Sequence, residues 1–263
     1  MACSVRSLQC RTLTIVNSNL NCKAVLLPLV RRQGRNSAES GLFISWKLTI
    51  RDAPRDRMIL TPIPDDQLAG TLDRFMAGLV DGLSRAVFAR IRATSPDRAA
   101  GAEAERHRLA ALSFARTFGL ATHPEGTSCR FNWDGAALNG ATEAYVILHE
   151  VAHFVLAPPE RRGLVEFGLG PGPDTLDREV AERAAVLSPL GREKDEAAAS
   201  LLGIVWEAAL GQPALASFLD QNWLEGINRS AAAHFIAVVE TLRCRDLLSL
   251  MQVPGASTVP TGG

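Results

Sequence analysis

The stretch Tyr145-Val146-Ile147-Leu148-His149-Glu150-Val151-Ala152-His153-Phe154-Val155-Leu156 decides how this chain is read. It is apolar nearly all round, and its strongly polar groups are two imidazoles and one carboxyl. Pro158-Pro159 stop it, because proline cannot continue a helix. The pattern predicts a buried helix from about Ala141 to Leu156. Residues four apart rotate by about 400°, so His149 and His153 project from one face, one turn from each other. Both ring nitrogens then reach toward one cation. Glu150 lies about 100° round from His149, placed for a metal-bound water rather than for the metal, as a catalytic acid or base. Burying two His and a Glu unpaired is costly, and a metal removes that cost.

Two imidazoles leave the coordination incomplete. The extended metzincin pattern needs Gly and His three and six residues after the second His. Leu156 and Pro159 stand there, so that class is excluded. The common remaining solution is a carboxylate from a later helix. Candidates are Glu166, Asp174, Asp177, Glu179, Glu182 and Glu196. Glu196 opens Glu196-Ala-Ala-Ala-Ser-Leu-Leu-Gly, whose small residues would let a helix pack closely on the motif helix. A carboxylate in the first turn of a helix is equally explained by the helix dipole. Arg178 and Arg183 put Glu179 and Glu182 on a solvated charged face. Of the other histidines, His107 reads as exposed, His123 as a loop residue before Pro124, and His234 as a core histidine.

The rest of the body reads as mostly helical, α+β with a few short strands, in a single metal-binding domain built around the motif helix. One long stripe runs from Leu68 through Leu72, Phe75, Leu79, Leu83 and Val87 to Ile91, with Asp65-Asp66 as its cap. A second helix is expected over about 102–118, and a short strand over Thr127–Asp134. A loop follows at Gly163–Pro173. Further helices are expected near Leu176–Leu187, Glu193–Leu210, Pro213–Leu224 and Arg229–Met251. Residues 58–251 form the expected catalytic domain, and 252–263 a disordered tail.

Residues 1–57 differ in composition. They hold ten of the 28 basic residues and three of the 28 acidic ones, leaving 18 basic against 25 acidic in the remainder. The segment is expected to be a disordered extension or to precede a true start at Met58, a reading favoured over a transit peptide. An acidic body is a poor binder of nucleic acid and would mildly attract a basic protein partner. No apolar run is long enough for a membrane helix. The five cysteines form no CxxC pair, which argues against a disulfide framework and a zinc ribbon and fits a reduced, cytoplasmic protein.

From the motif onward, His149-Glu-Val-Ala-His153 followed by Arg161-Arg162-Gly-Leu164-Val165-Glu166-Phe167-Gly168 resembles the elongation factor P hydroxylase family. That family pairs a HExxH motif with an Arg-x-Leu-Val-acid-Phe-Gly segment at the same offset. It also has a later Glu-bearing helix that ends in a Gly-x-Pro turn. Here these are similar to Glu196 through Gly211-Gln212-Pro213, followed by Asn222-Trp223-Leu224-Glu225-Gly226. The likeness covers roughly residues 141–226. It implies Glu196 as the third ligand of a zincin-like site, Fe²⁺ as the metal, and hydroxylation of a modified lysine on elongation factor P.

His149, His153 and Glu196 also suit Zn²⁺, so a zinc metallopeptidase or other zinc hydrolase, with Glu150 as general base, stands as the alternative. A peptidase wants an oxyanion donor, and the chain has one Tyr, Tyr145. Glu166 and Asp174 are candidate acids for a cationic substrate. A metal-stabilised scaffold without turnover would need a fourth ligand, which no nearby Cys or His supplies.

Overall fold

The computed structural model describes residues 63–224 and 230–248. The expected extension 1–57, the boundaries at 58 and 251, the tail 252–263 and the Glu225-Gly226 pair lie outside the described residues. Within them the chain is mostly helical with a minimal sheet. The elements are α1 (Asp65–Gly78), α2 (Gly82–Arg92), α3 (Gly101–Thr117), β1 (Ala121–Thr122), β2 (Ala137–Leu138), α4 (Ala144–Leu156) and α5 (Pro159–Arg162). A 3-10 turn (Val165–Gly168) precedes α6 (Arg178–Ala184), α7 (Pro189–Ala209), α8 (Ala214–Asp220) and α9 (Ala231–Cys244). None of the described helices is long and apolar enough to cross a membrane.

The motif helix α4 is central, as its composition requires. Ile147, Leu148, Val151 and Ala152 are fully buried. It lies between α3 and α7, its closest neighbours. Gly203 sets the α4–α7 approach, since a Cβ there would come within 3.3 Å of the His149 backbone nitrogen and Cα. The side chains of Leu201, Leu202, Val205 and Trp206 fill the rest of the α7 interface with the core. Within the same core, an aromatic knot of Phe75, Phe88, Phe218 and Phe235 ties α1, α2, α8 and α9, with Phe75 and Phe88 centroids 4.7 Å apart. Truncating one such ring removes about 3–5 kcal/mol.

Several expectations need correction. The stripe from Leu68 to Ile91 is two helices. Leu79 is extended at the break, and Asp81 restarts the chain by accepting from Ser84 N at 2.8 Å. The stripe survives the break because both helices bury against one core. Asp65-Asp66 do not cap α1, whose N-cap is Pro64. Residues 127–134 are not a strand. Trp133 makes a single antiparallel bridge to Leu138, and the two-residue strands β1 and β2 pair in parallel, Ala121 with Ala137 and Thr122 with Leu138. The loop after α5 contains the 3-10 turn. Helix α7 begins four residues earlier than expected, at Pro189 behind the Ser188 cap, so Glu196 stands inside the helix rather than in its first turn.

Candidate metal centre

Two helices and one strained turn build the site. Helix α4 delivers His149 and His153 from one face, with ring centroids 4.6 Å apart and planes nearly perpendicular. Their Nε2 atoms face each other at 3.0 Å. Helix α7, held close by Gly203, brings Glu196 Oε2 to 3.4 Å from both nitrogens. An ion bound at about 2.05 Å by nitrogen and oxygen has donor–donor edges of about 2.9 Å at right angles and about 3.3 Å at tetrahedral angles. The three donors already stand at these separations. Among the described residues they are the one group so arranged.

The supporting residues fix the direction of those donors. His153 Nδ1 lies 3.1 Å from Asp195 Oδ2, and Arg161 Nη2 donates to Asp195 Oδ1 at 2.8 Å. Burial opposes the Asp195 charge, yet the bonds from His153 and Arg161 hold its carboxyl below the ordinary range. An ionised Asp195 can only accept, so His153 donates from Nδ1 and turns Nε2 toward Glu196 and His149. Metal-ligating histidines are characteristically braced by such a carboxylate. Phe167 stacks on His153 at 5.7 Å, and Trp133 stacks on Phe167 at 5.2 Å with the rings nearly parallel.

The charges of the two helices are strongly coupled at this point. Burial pulls the His149 imidazole below its usual range. Burial acts the same way on His153, but the charge of Glu196 and the bond to Asp195 outweigh it and lift that ring to about 10. Burial works against the Glu196 carboxylate as well, and the two histidines reverse it and drive its pKa far down. Without an ion, one proton on His153 satisfies the three converging donors. The same three donors could hold a metal ion.

Glu150 and Glu166 form the inner wall. Both are buried. Burial pushes both carboxyls up, and the charge of Glu166 further opposes ionisation of Glu150. Asn132 serves both, its side chain on Glu150 and its backbone N–H on Glu166 Oε1 at 3.3 Å. Thr175 Oγ1 donates to Glu166 at 3.1 Å. Glu166 and Phe167 are non-glycine residues at φ 47° and 51°. Such left-handed conformations cost of order 1 kcal/mol or more each and persist where surroundings impose them. Glu166 N–H on Trp133 O at 2.9 Å and Arg161 Nη1 on Phe167 O at 3.2 Å hold them here.

Of the other candidates, Asp174 is exposed and outside the donor group, although its charge is felt at the Tyr145 phenol. Asp177 caps α6 and binds Arg130. Glu179 and Glu182 are exposed. His123 binds Asp134 at 2.7 Å, and His234 is half-buried against Trp223 rather than in the core. His107 is half-buried, its carbonyl accepting from Gln212 Nε2. The sequence reading missed Asp195, Asn132 and Trp133. For Asp195 a signal existed, since it adjoins Glu196. For the other two the contact depends on the 121–139 segment folding back.

No known protein family, curated protein or solved structure matches this chain.

Proposed function

We propose that the chain is a metal-dependent enzyme of the non-haem iron hydroxylase type, with a zincin-like centre made by His149, His153 and Glu196. The single observation that carries the metal reading is the braced pair: two Nε2 atoms and one carboxylate oxygen converge, with Asp195 fixing the tautomer of His153. When bound, ferrous iron in a two-His, one-carboxylate set supplies oxygen activation and leaves positions open for substrate.

Support for the hydroxylase reading comes from the segment that resembles the elongation factor P hydroxylase family. Its Arg161, Glu166 and Phe167 are the residues that brace His153 and face Glu150. The proposed substrate is a protein lysine in modified form, as on elongation factor P, which suits an acidic body. One oxygen atom enters a C–H bond and the other leaves as water, with two electrons from an external reductant and two protons from that reductant or solvent. Glu150, anchored by Asn132, is then a proton-holding residue beside the reacting centre.

A zinc hydrolase is the second reading. The raised Glu150 carboxyl favours it, since a general base works best with a pKa near the working pH. The sole tyrosine speaks against a peptidase. It lies beneath the Arg98 guanidinium, 3.8 Å from ring centroid to carbon, and its hydroxyl is engaged by Glu143.

The deciding experiment supplies anaerobically purified protein with iron or with zinc, then adds lysine-modified elongation factor P, oxygen and reductant. Gain of one oxygen atom by the substrate with iron alone supports the hydroxylase. Peptide cleavage with zinc and no oxygen uptake overturns it.

A further inference from the structure

At the other end of the α4–α7 pair lies a cavity of about 510 Å³, walled by α3, the start of α4, the end of α7 and the turn into α8. Glu207, on its wall, is eleven residues past Glu196, roughly 16 Å along the same helix. Gly203 against His149 lies between them. The cavity is therefore separate from the metal donors.

Glu207 is unusual among the residues there. Its side chain is 3% exposed, and although the Ser217 hydroxyl serves the carboxyl, Oε2 has no hydrogen-bond partner. Its neighbour Arg98 is already committed. That guanidinium donates to Asp220 at 3.1 Å and to Ser217 at 2.8 Å, covers the Tyr145 ring, and stays 4.0 Å from Glu207 Oε1. The second cation on the wall, Arg108, is held by Glu105 at 2.7 Å and by the Gly140 carbonyl at 2.6 Å. Two cations thus face four carboxyls, of Glu105, Glu143, Glu207 and Asp220. A buried carboxylate oxygen left without a donor is costly, and native proteins leave few of them.

We propose that this cavity is a binding site for a small primary alkylammonium ion, received by Glu207. An ammonium supplies the missing donor and offsets the excess negative charge. The volume is that of an organic ligand rather than a bare ion. Alanines 99, 104, 141 and 144 with Pro213 give its alkyl stem an apolar wall. Burial, set against weaker opposing effects of Ser217 and Arg98, pushes the Glu207 carboxyl up to about 7, and a bound cation would bring it down.

The test is calorimetric titration of the full chain with n-butylamine and, separately, with butyrate, at mildly alkaline pH. Saturable binding of one butylamine per chain is expected, with no binding of butyrate. Glu207→Gln should weaken the amine at least tenfold while keeping the metal. Ala104→Leu, which narrows the cavity and leaves its carboxyls in place, should do the same and keeps the test decisive if Glu207→Gln does not fold. No amine binding, equal binding in either folded variant, or equal binding of butyrate overturns the proposal.

Discussion

Asp195 Oδ2 stands 3.1 Å from His153 Nδ1, and the same carboxylate receives Arg161 on its other oxygen. This pair decides which nitrogen of His153 faces the donors from α4 and α7. Asp195→Ala frees the ring to rotate and removes the acceptor that raises its basicity. Metal affinity should fall by about 10–100-fold without being lost, as for other carboxylates that brace a ligating histidine. Competition against a chelator measures it. Unchanged affinity would mean that the ring is held by Phe167 alone.

Glu150 touches the site without being one of its three donors. Glu150→Gln keeps the size and the Asn132 contact but cannot carry charge. It should retain metal at the wild-type level and lose activity by a factor of about 10² or more. Metal content and turnover on the same sample separate the two effects.

Gly203 is the contact point of α4 and α7. In Gly203→Val the new side chain meets the His149 backbone, which cannot move aside. A loss of about 1–3 kcal/mol is expected, with weaker metal binding because Glu196 rides on the same helix. Denaturant midpoints with and without metal report both.

Stability should also depend on pH through Glu207. Its carboxyl is held at about 7 in the fold, against an ordinary value of 4.5. The folded state binds that proton more tightly, so its contribution is present below about 4.5 and is lost as pH rises through about 7. Arg98 works against this shift and Asp220 adds to it. Glu207→Gln has no such proton to lose. Its Tm should fall less than wild type between about pH 5 and pH 8, a difference that scanning calorimetry resolves.

What the sequence made readable was local. The His149–His153 spacing is set by one helical turn, so no long-range information was needed. The helices survived as expectations because apolar period and proline stops are written along the chain. Glu196 was harder, and rested on small residues beside it and on a resemblance. Asp195, Asn132 and Trp133 act through contacts across 30 residues or more, or through a strained turn at Glu166-Phe167; Asp195 is marked only by its place beside Glu196, and nothing local marks the other two. The division of α1 from α2 was hidden because the apolar stripe continues in phase across Leu79-Val80-Asp81.

Metal stoichiometry of anaerobically purified protein, compared with His149→Ala, His153→Ala and Glu196→Ala, tests the centre most directly. One ion per chain in the wild type and none retained in each variant is the predicted result. A wild-type chain that holds no metal, or variants that hold it equally well, would contradict the proposed centre.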